Sequence, residues 1–236
     1  MKRVLIVRTG SAPAAVRARH GDFTDWFAEL VGSRAVAAVS DAVEGELPGP
    51  VEYDGILVTG SLASVTRPEP WMDRLGLWLL RAAEERPVLG VCFGHQLLAR
   101  ALGGRVERHP DGPELGTAEV ELTAEGRADP LLAGFPSPFA VQEAHEDHVP
   151  EPPPGAVVLA RNRRAPVQAF AAGPRLRAVQ FHPEFDAARN RAFAESERAA
   201  LDRVRPGLAE AALSGIRPSP EGPRVVENWL RAFVQA

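Results

Sequence analysis

Over the first hundred residues, short apolar runs closed by glycine turns alternate with longer stretches that are apolar on one side only. Val4–Val7 reads as a strand buried on both faces, with Thr9-Gly10-Ser11 at its carboxyl end. Between Asp22 and Leu30 the residues Phe23, Trp26, Phe27 and Leu30 fall at i, i+3, i+4 and i+7, the spacing of a one-faced helix. Val36–Val39 is a weaker second strand, and Tyr53–Ser61 a third that runs into a glycine turn. Trp71–Glu85 carries a helical stripe of Leu75, Trp78, Leu79 and Ala82. A fourth apolar run at Val88 turns sharply through Gly90-Val91-Cys92-Phe93-Gly94, and a helix through Leu102 stops at Gly103-Gly104. Strand and helix in alternation predict a parallel, doubly wound sheet with ligands at the carboxyl ends of its strands.

After Gly104 the texture changes. Ala118–Leu122 alternates like a half-solvated strand, and Phe139–Gln142, Val157–Ala160, Val167–Phe170 and Leu176–Phe181 follow as further short strands. The proline-dense segment Pro150–Gly155 reads as a turn rather than a linker. From Asp186, a helix N-cap by type, the pattern is helical over about 187–204, 206–214 and 222–235. The expectation is one domain over 1–236, an α/β core over 1–185 with a helical C-terminal extension over 186–236. Trp26, Trp71, Trp78 and Trp229 fall at helical spacing as core residues, and Val226, Trp229, Leu230 and Phe233 form a stripe that should dock on the chain's own sheet.

Composition narrows the chemistry. A length of 236 residues at 45% hydrophobic content suffices for a substantial core, and a net charge of -4 gives no reason to expect nucleic acid. Arg161, Arg163 and Arg164 read as a solvated loop. Lys2 is the only lysine, which excludes Schiff-base and P-loop chemistry. Cys92 is the only cysteine, which excludes an internal disulfide and a multi-cysteine metal site and suits a reducing compartment. The four apolar residues after Arg3 are too few for a secretory leader, and no run approaches the roughly 18 needed for a membrane span. The expected location is cytoplasmic.

Cys92 sits where a nucleophile elbow would place it: strand, glycine-flanked reactive side chain, helix. The turn would lift the sulfur out of the sheet and set it at a helix N-terminus, where amide dipoles favour negative charge. A thiol still needs a base, and an imidazole held by a carboxylate supplies one. His20 and His109 lie in polar loops and read as surface residues; His95 should point away from the sulfur. His182 ends an apolar strand, and Glu184 lies two residues on across Pro183, so both side chains fall on one side of an extended chain. An alternative reading of the same residues is a His-Pro turn whose Glu184 caps the following helix.

The two motifs together, Gly90-Val-Cys92-Phe-Gly94-His-Gln96 and Gln180-Phe181-His182-Pro183-Glu184, resemble the class I glutamine amidotransferase family. The similarity runs from the first strand to Phe185 and is closest to stand-alone proteins similar to the amidotransferase domain of GMP synthase. Pro70-Trp71, Ala101-Leu102-Gly103-Gly104 and Ala144-His145-Glu146-Asp147 extend it. The fold so implied is α/β, flavodoxin-like, a doubly wound and mostly parallel sheet with helices on both faces, a small antiparallel addition and the helical C-terminal extension.

The resemblance implies Cys92 as nucleophile, His182 as general base and acid, and Glu184 as the orienting carboxylate. It implies an oxyanion hole from the N–H of Phe93 and of Gly60 or Ser61, and contacts to substrate from Gln96, Ala144, His145 and Asp147. No metal and no organic cofactor is implied. Two positions depart from the family pattern: a Gly-Gly-Pro strand end is here Thr59-Gly60-Ser61, and a Ser-His-Gly-Asp segment has Ala144 for its serine, which loses a hydroxyl. The ATP-pyrophosphatase and dimerisation domains of GMP synthase have no counterpart, so this chain is not expected to make GMP alone. Three readings stay open: a glutaminase that hands ammonia to a separate synthetase subunit, a free-standing hydrolase of γ-glutamyl amines or peptides, and a non-enzymatic member using Cys92 as a redox sensor. Neither nucleic acid nor membrane enters any of them.

Overall fold

A computed structural model describes residues 1–235. The alternating half comprises β1 (Arg3–Arg8), α1 (Ala14–His20), α2 (Phe23–Val31), β2 (Val36–Asp41), β3 (Gly55–Val58), α3 (Pro70–Glu85), β4 (Val88–Val91) and α4 (Phe93–Ala101). Next come β5 (Glu107–Arg108), β6 (Glu114–Leu122), α5 (Ala124–Ala128), β7 (Phe139–His145), β8 (Asp147–His148), β9 (Val157–Arg161), β10 (Ala169–Ala172) and β11 (Leu176–Val179). The chain ends in α6 (Ala187–Ser196), α7 (Arg198–Val204), α8 (Leu208–Gly215) and α9 (Arg224–Trp229), the last continuing as a π-turn over Leu230–Val234.

One sheet carries nine of the strands in the order β2-β1-β3-β4-β11-β10-β9-β6-β7. Pairings from β2 through β11 are parallel, and those from β11 through β7 antiparallel. The antiparallel addition amounts to four strands, and β5 pairs with β8 in a separate ribbon. Alternate residues of β1 serve opposite faces, as the strand period of two requires. Val4 and Ile6 pack with Phe27, Val31, Trp229 and Leu230; Leu5 and Val7 pack with Met72, Leu75, Leu79 and Leu98. The terminal stripe thus docks on this chain's own sheet, and closely: a Cβ added to Gly55 would lie 2.9 Å from the Trp229 ring.

Local chemistry accounts for most boundaries. Asp22 and Asp25 form a reciprocal capping box at the start of α2, and Asp186 accepts from Arg189 N at 2.7 Å to cap α6. Where a single helix over 187–204 is expected, two form. The Ser196 hydroxyl donates to Phe193 O at 2.7 Å, a local bond that competes with helix continuation, and the chain turns at Glu197. Gly207, at φ 81, delays the next helix to Leu208. α1 has no sequence signature because Val16 alone is buried in it. His109 is buried and not a surface residue: Nδ1 accepts from Asp111 N, and Nε2 bonds to Arg164 O at 2.9 Å. Among the described residues no helix is long and apolar enough to cross a membrane.

Trp229 is fully buried between α2 and the edge of β3. Replacing it with alanine should lower unfolding free energy by about 3–5 kcal/mol, read as a fall in the urea midpoint at constant slope. A loss under about 1 kcal/mol would mean that the terminal helix is not anchored there.

Candidate active site

Cys92 joins β4 to α4 at φ 50, ψ -100, and is the one non-glycine residue with positive φ among those described. Such a backbone costs about 1–3 kcal/mol and persists only where its surroundings over-determine it. Two glycines do this. A Cβ on Gly90 would fall 2.7 Å from Gly94 O and 2.5 Å from a Leu98 methyl, and one on Gly94 would fall 2.9 Å from Val58 O. Cys92 N donates to Val179 O at 2.9 Å, so the turn is tied to β11 at its summit.

β11 then delivers the second motif. It pairs with β4 in parallel, Val179 beside Val91, so the chain leaving it passes alongside the elbow. His182 N donates to Gln142 O at 2.8 Å and its ring stacks on Phe185 at 4.2 Å. Nδ1 donates to Glu184 Oε1 at 2.7 Å, which leaves Nε2 uncommitted, and the ring lies near enough to Cys92 for a charge on the sulfur to act on it. Imidazole and carboxylate are both almost wholly buried. Burial alone would depress the His182 pKa, but the charges of Glu184 and Cys92 outweigh it and hold the imidazolium well above its usual range. The extended step expected from the sequence is not what forms: Pro183 and Glu184 make a turn, closed by Phe185 N donating to His182 O at 3.3 Å. It is this turn that brings the carboxylate to the ring, while Asp186 and not Glu184 caps α6.

The Gly60 turn closes the other side. A Cβ there would come within 2.9 Å of His182 Cε1 and 3.7 Å of Cys92 Cβ, so only glycine fits. Thr9 fixes this turn through bonds from its hydroxyl to Thr59 O and Gly60 O, both 3.0 Å, while Ser61 Oγ donates to Thr9 O at 2.7 Å. Phe93 opens α4 with its ring stacked on Trp71 and its N–H at the helix start. Cys92 and Ser61 line a cavity of about 660 Å³, together with Gln96, Ala144, His145 and Asp147.

The side chains expected to hold substrate are themselves held. Gln96 Nε2 donates to Asp147 O at 2.8 Å and to Gln180 Oε1 at 3.1 Å. The Asp147 carboxylate accepts one short bond from Ser64 Oγ and a longer, shared one, 3.4 Å to either oxygen, from Thr66 Oγ1. Ala144 offers its carbonyl 3.9 Å from the sulfur. His145 donates from Nδ1 to Asp147 O at 2.9 Å and presents Nε2 to Glu114 at 3.2 Å and Glu143 at 3.3 Å. Burial opposes the charge on this imidazole, yet its two carboxylates raise the pKa to about 10. Glu143, wholly buried and repelled by Glu114, is pushed up to about 7. Glu114, Glu143 and His145 are the one group among the described residues whose ligand atoms lie close enough together to hold a metal ion, within 4.8 Å. The imidazolium already supplies the positive charge they need. His95, by contrast, packs on Phe170 away from the sulfur and is held neutral, at about 3, by burial.

Thr9, Ser64, Glu114 and Glu143 do not announce themselves in the sequence. The β6–β7 register that sets Glu114 against His145 is the one signal that would have found two of them. The inner cavity wall also includes Phe193, Leu201 and Val204, so the C-terminal helices shape the site.

The family described as Glutamine amidotransferase class-I matches residues 31–196. A GMP synthase (glutamine-hydrolyzing) from Aeropyrum pernix is 38% identical over 77% of this chain and 32% of its own length. The chain spans about a quarter to a third of the length of such GMP synthases. Gamma-glutamyl peptidase 5 of Arabidopsis thaliana is 27% identical over 78% of this chain and 76% of its own. A glutamine amidotransferase of Thermotoga maritima, 22% identical, has the same fold: the TM-score is 0.73 over 100% of this chain and 99% of that one.

The buried cluster fixes how stability varies with pH. His145 gains its proton more readily folded than at its ordinary 6.5, so its contribution is complete below about 6.5 and is lost as pH rises toward 10. Glu143 acts in the same direction, since its carboxylate is disfavoured until pH passes about 7. Unfolding free energy from urea titrations should therefore fall between pH 6.5 and 10, and His145→Gln should flatten that fall. A profile level or rising over this interval would overturn the assignment.

Proposed function

This chain belongs to the glutamine amidotransferase class-I family, and from that premise we propose that it hydrolyses a γ-glutamyl amide, glutamine among them, with Cys92, His182 and Glu184 as its catalytic residues. The observation that carries the reading is the 2.7 Å bond from His182 Nδ1 to Glu184, which leaves the ring's other nitrogen free beside a turn, at Gly60, that both His182 and Cys92 border. Cys92 gives its proton to His182 and attacks the amide carbon. The oxyanion is met by the N–H of Phe93 and of Gly60 or Ser61, one such donor being worth about 3–4 kcal/mol. His182 passes its proton to the leaving nitrogen as the C–N bond breaks, and ammonia or an amine departs from a γ-glutamyl thioester. Water, deprotonated by His182, then attacks the thioester and frees glutamate and the thiol. Every group needed is an amino-acid side chain or a backbone amide.

Two uses of this chemistry have support. The likeness to GMP synthases, of which this chain matches only a third, favours transfer of ammonia to a separate synthetase subunit. The likeness to a γ-glutamyl peptidase, with Ala144 in place of a serine hydroxyl, favours a free-standing hydrolase.

Cys92→Ala should abolish hydrolysis of glutamine and of γ-glutamyl amides while leaving the urea midpoint close to that of the wild type. Turnover at the wild-type rate would refute the assignment. Glu184→Gln should lower kcat by about two to four orders of magnitude with little change in KM, because the imidazole loses its orienting charge. Saturable labelling of Cys92 by a glutamine-mimicking electrophile, read by mass spectrometry, checks the nucleophile directly.

A further inference from the structure

The cavity over Cys92 is larger than glutamine requires. At about 660 Å³ it sits in the middle of the range for sites that enclose drug-sized ligands, whereas glutamine is one amino acid with a primary amide. Beyond the residues around Cys92, the loop after β3 and α7 complete the cavity wall as its outer lobe. Leu62 and Val204 belong to that lobe, and they are 53% and 47% exposed, apolar side chains that no part of the core covers. Leu201 lies beside Val204 on the same wall. Arg67 and Arg203 line the same lobe, and neither guanidinium has a carboxylate or carbonyl partner among the described residues; Arg108 nearby is already paired with Glu146. Among the described residues, Glu197 and Asp147 are the carboxylates of this cavity without a cationic partner, Asp147 being held by the hydroxyls of Ser64 and Thr66, so Arg67 and Arg203 are its two free cations.

We infer that the substrate is a γ-glutamyl amide whose nitrogen carries both a branched apolar group and a carboxylate, the chemistry of a γ-glutamyl dipeptide ending in leucine or a similar residue. This rests on the hydrolase reading above and specifies its leaving group. The glutamyl carbonyl lies at Cys92; the apolar side chain of the departing residue leaves water for Leu62, Leu201 and Val204; its carboxylate is met by Arg67 and Arg203. The C–S bond forms as the C–N bond breaks, the proton held by His182 goes to the departing nitrogen, and a free amino acid leaves. Water then adds to the thioester carbon and releases glutamate. Burial of a four-carbon branched group in an apolar lobe raises kcat/KM by about ten- to a hundredfold over the unsubstituted amide.

The test measures kcat/KM on the full chain for γ-glutamyl-leucine, γ-glutamyl-isopentylamide and glutamine. The dipeptide should exceed glutamine at least tenfold, with the isopentylamide, which lacks the carboxylate, in between. Leu62→Ser with Val204→Ser should lower the dipeptide value about tenfold more than that for glutamine. Arg67→Ala with Arg203→Ala should penalise the dipeptide several-fold more than the isopentylamide. Glutamine equal to or better than the dipeptide, or variants that lower all three substrates alike, would overturn the inference and leave the γ-glutamyl hydrolase reading in place. Failure of all three substrates, with Cys92 unreactive toward a glutamine-like electrophile, would sink both.

Discussion

The pairing of β4 with β11 is the constraint on which the site depends. The two strands are separated by 84 residues of chain, from Val91 to Leu176, yet run parallel in register, Val91 beside Val179. Their continuations are therefore delivered to the same end of the sheet, where one strand enters a strained turn and the other a His-Pro-Glu turn closed by Phe185 N on His182 O. Cys92 N bonded to Val179 O, and His182 N bonded to Gln142 O, hold those continuations with backbone bonds. Cys92, His182 and Glu184 take their positions from these backbone bonds together with the glycines at 60, 90 and 94 that let the turns close.

Around that junction the charges are arranged in two buried groups. Nearest the sulfur, His182 and Glu184 share a proton-bearing axis; at the end of β7, His145 stands between Glu114 and Glu143. Breaking a buried pair by removing one partner is costly because the other charge is left without water. The second group therefore sets the backbone that carries Ala144 and Asp147 along the cavity wall, and its protonation is bound up with folding as well as with shape.

Much of the alternating half was legible because each element repeats its signal. Phe23, Trp26, Phe27 and Leu30 can only share a helical face, and Gly90 and Gly94 flank a turn that admits no other residue. The motifs around Cys92 and His182 were legible for a different reason: they are local, two short stretches each with its own residue pattern. What escaped depends on contacts between distant residues. His109 is buried through a carbonyl 55 residues away, Asp147 is held by Ser64 from 83 residues away, and the clamp on His145 requires the β6–β7 register. α1 escaped because a helix with one buried residue writes no stripe, and the break after Ser196 because it follows from a side chain bonding to its own backbone.

The helices of the C-terminal part add a consequence of their own. The stretch shared with the family ends at residue 196, and α7, which walls the cavity with Leu201, Arg203 and Val204, begins at residue 198. Cys92 and the part of the cavity wall that α7 supplies thus fall in separate portions of the chain, on either side of Glu197, while Leu62 and Arg67 line the cavity from the portion that holds Cys92. Substitutions at the exposed positions Arg203 and Val204 would reshape the cavity wall with no disturbance to the strained elbow or to the sheet beneath it.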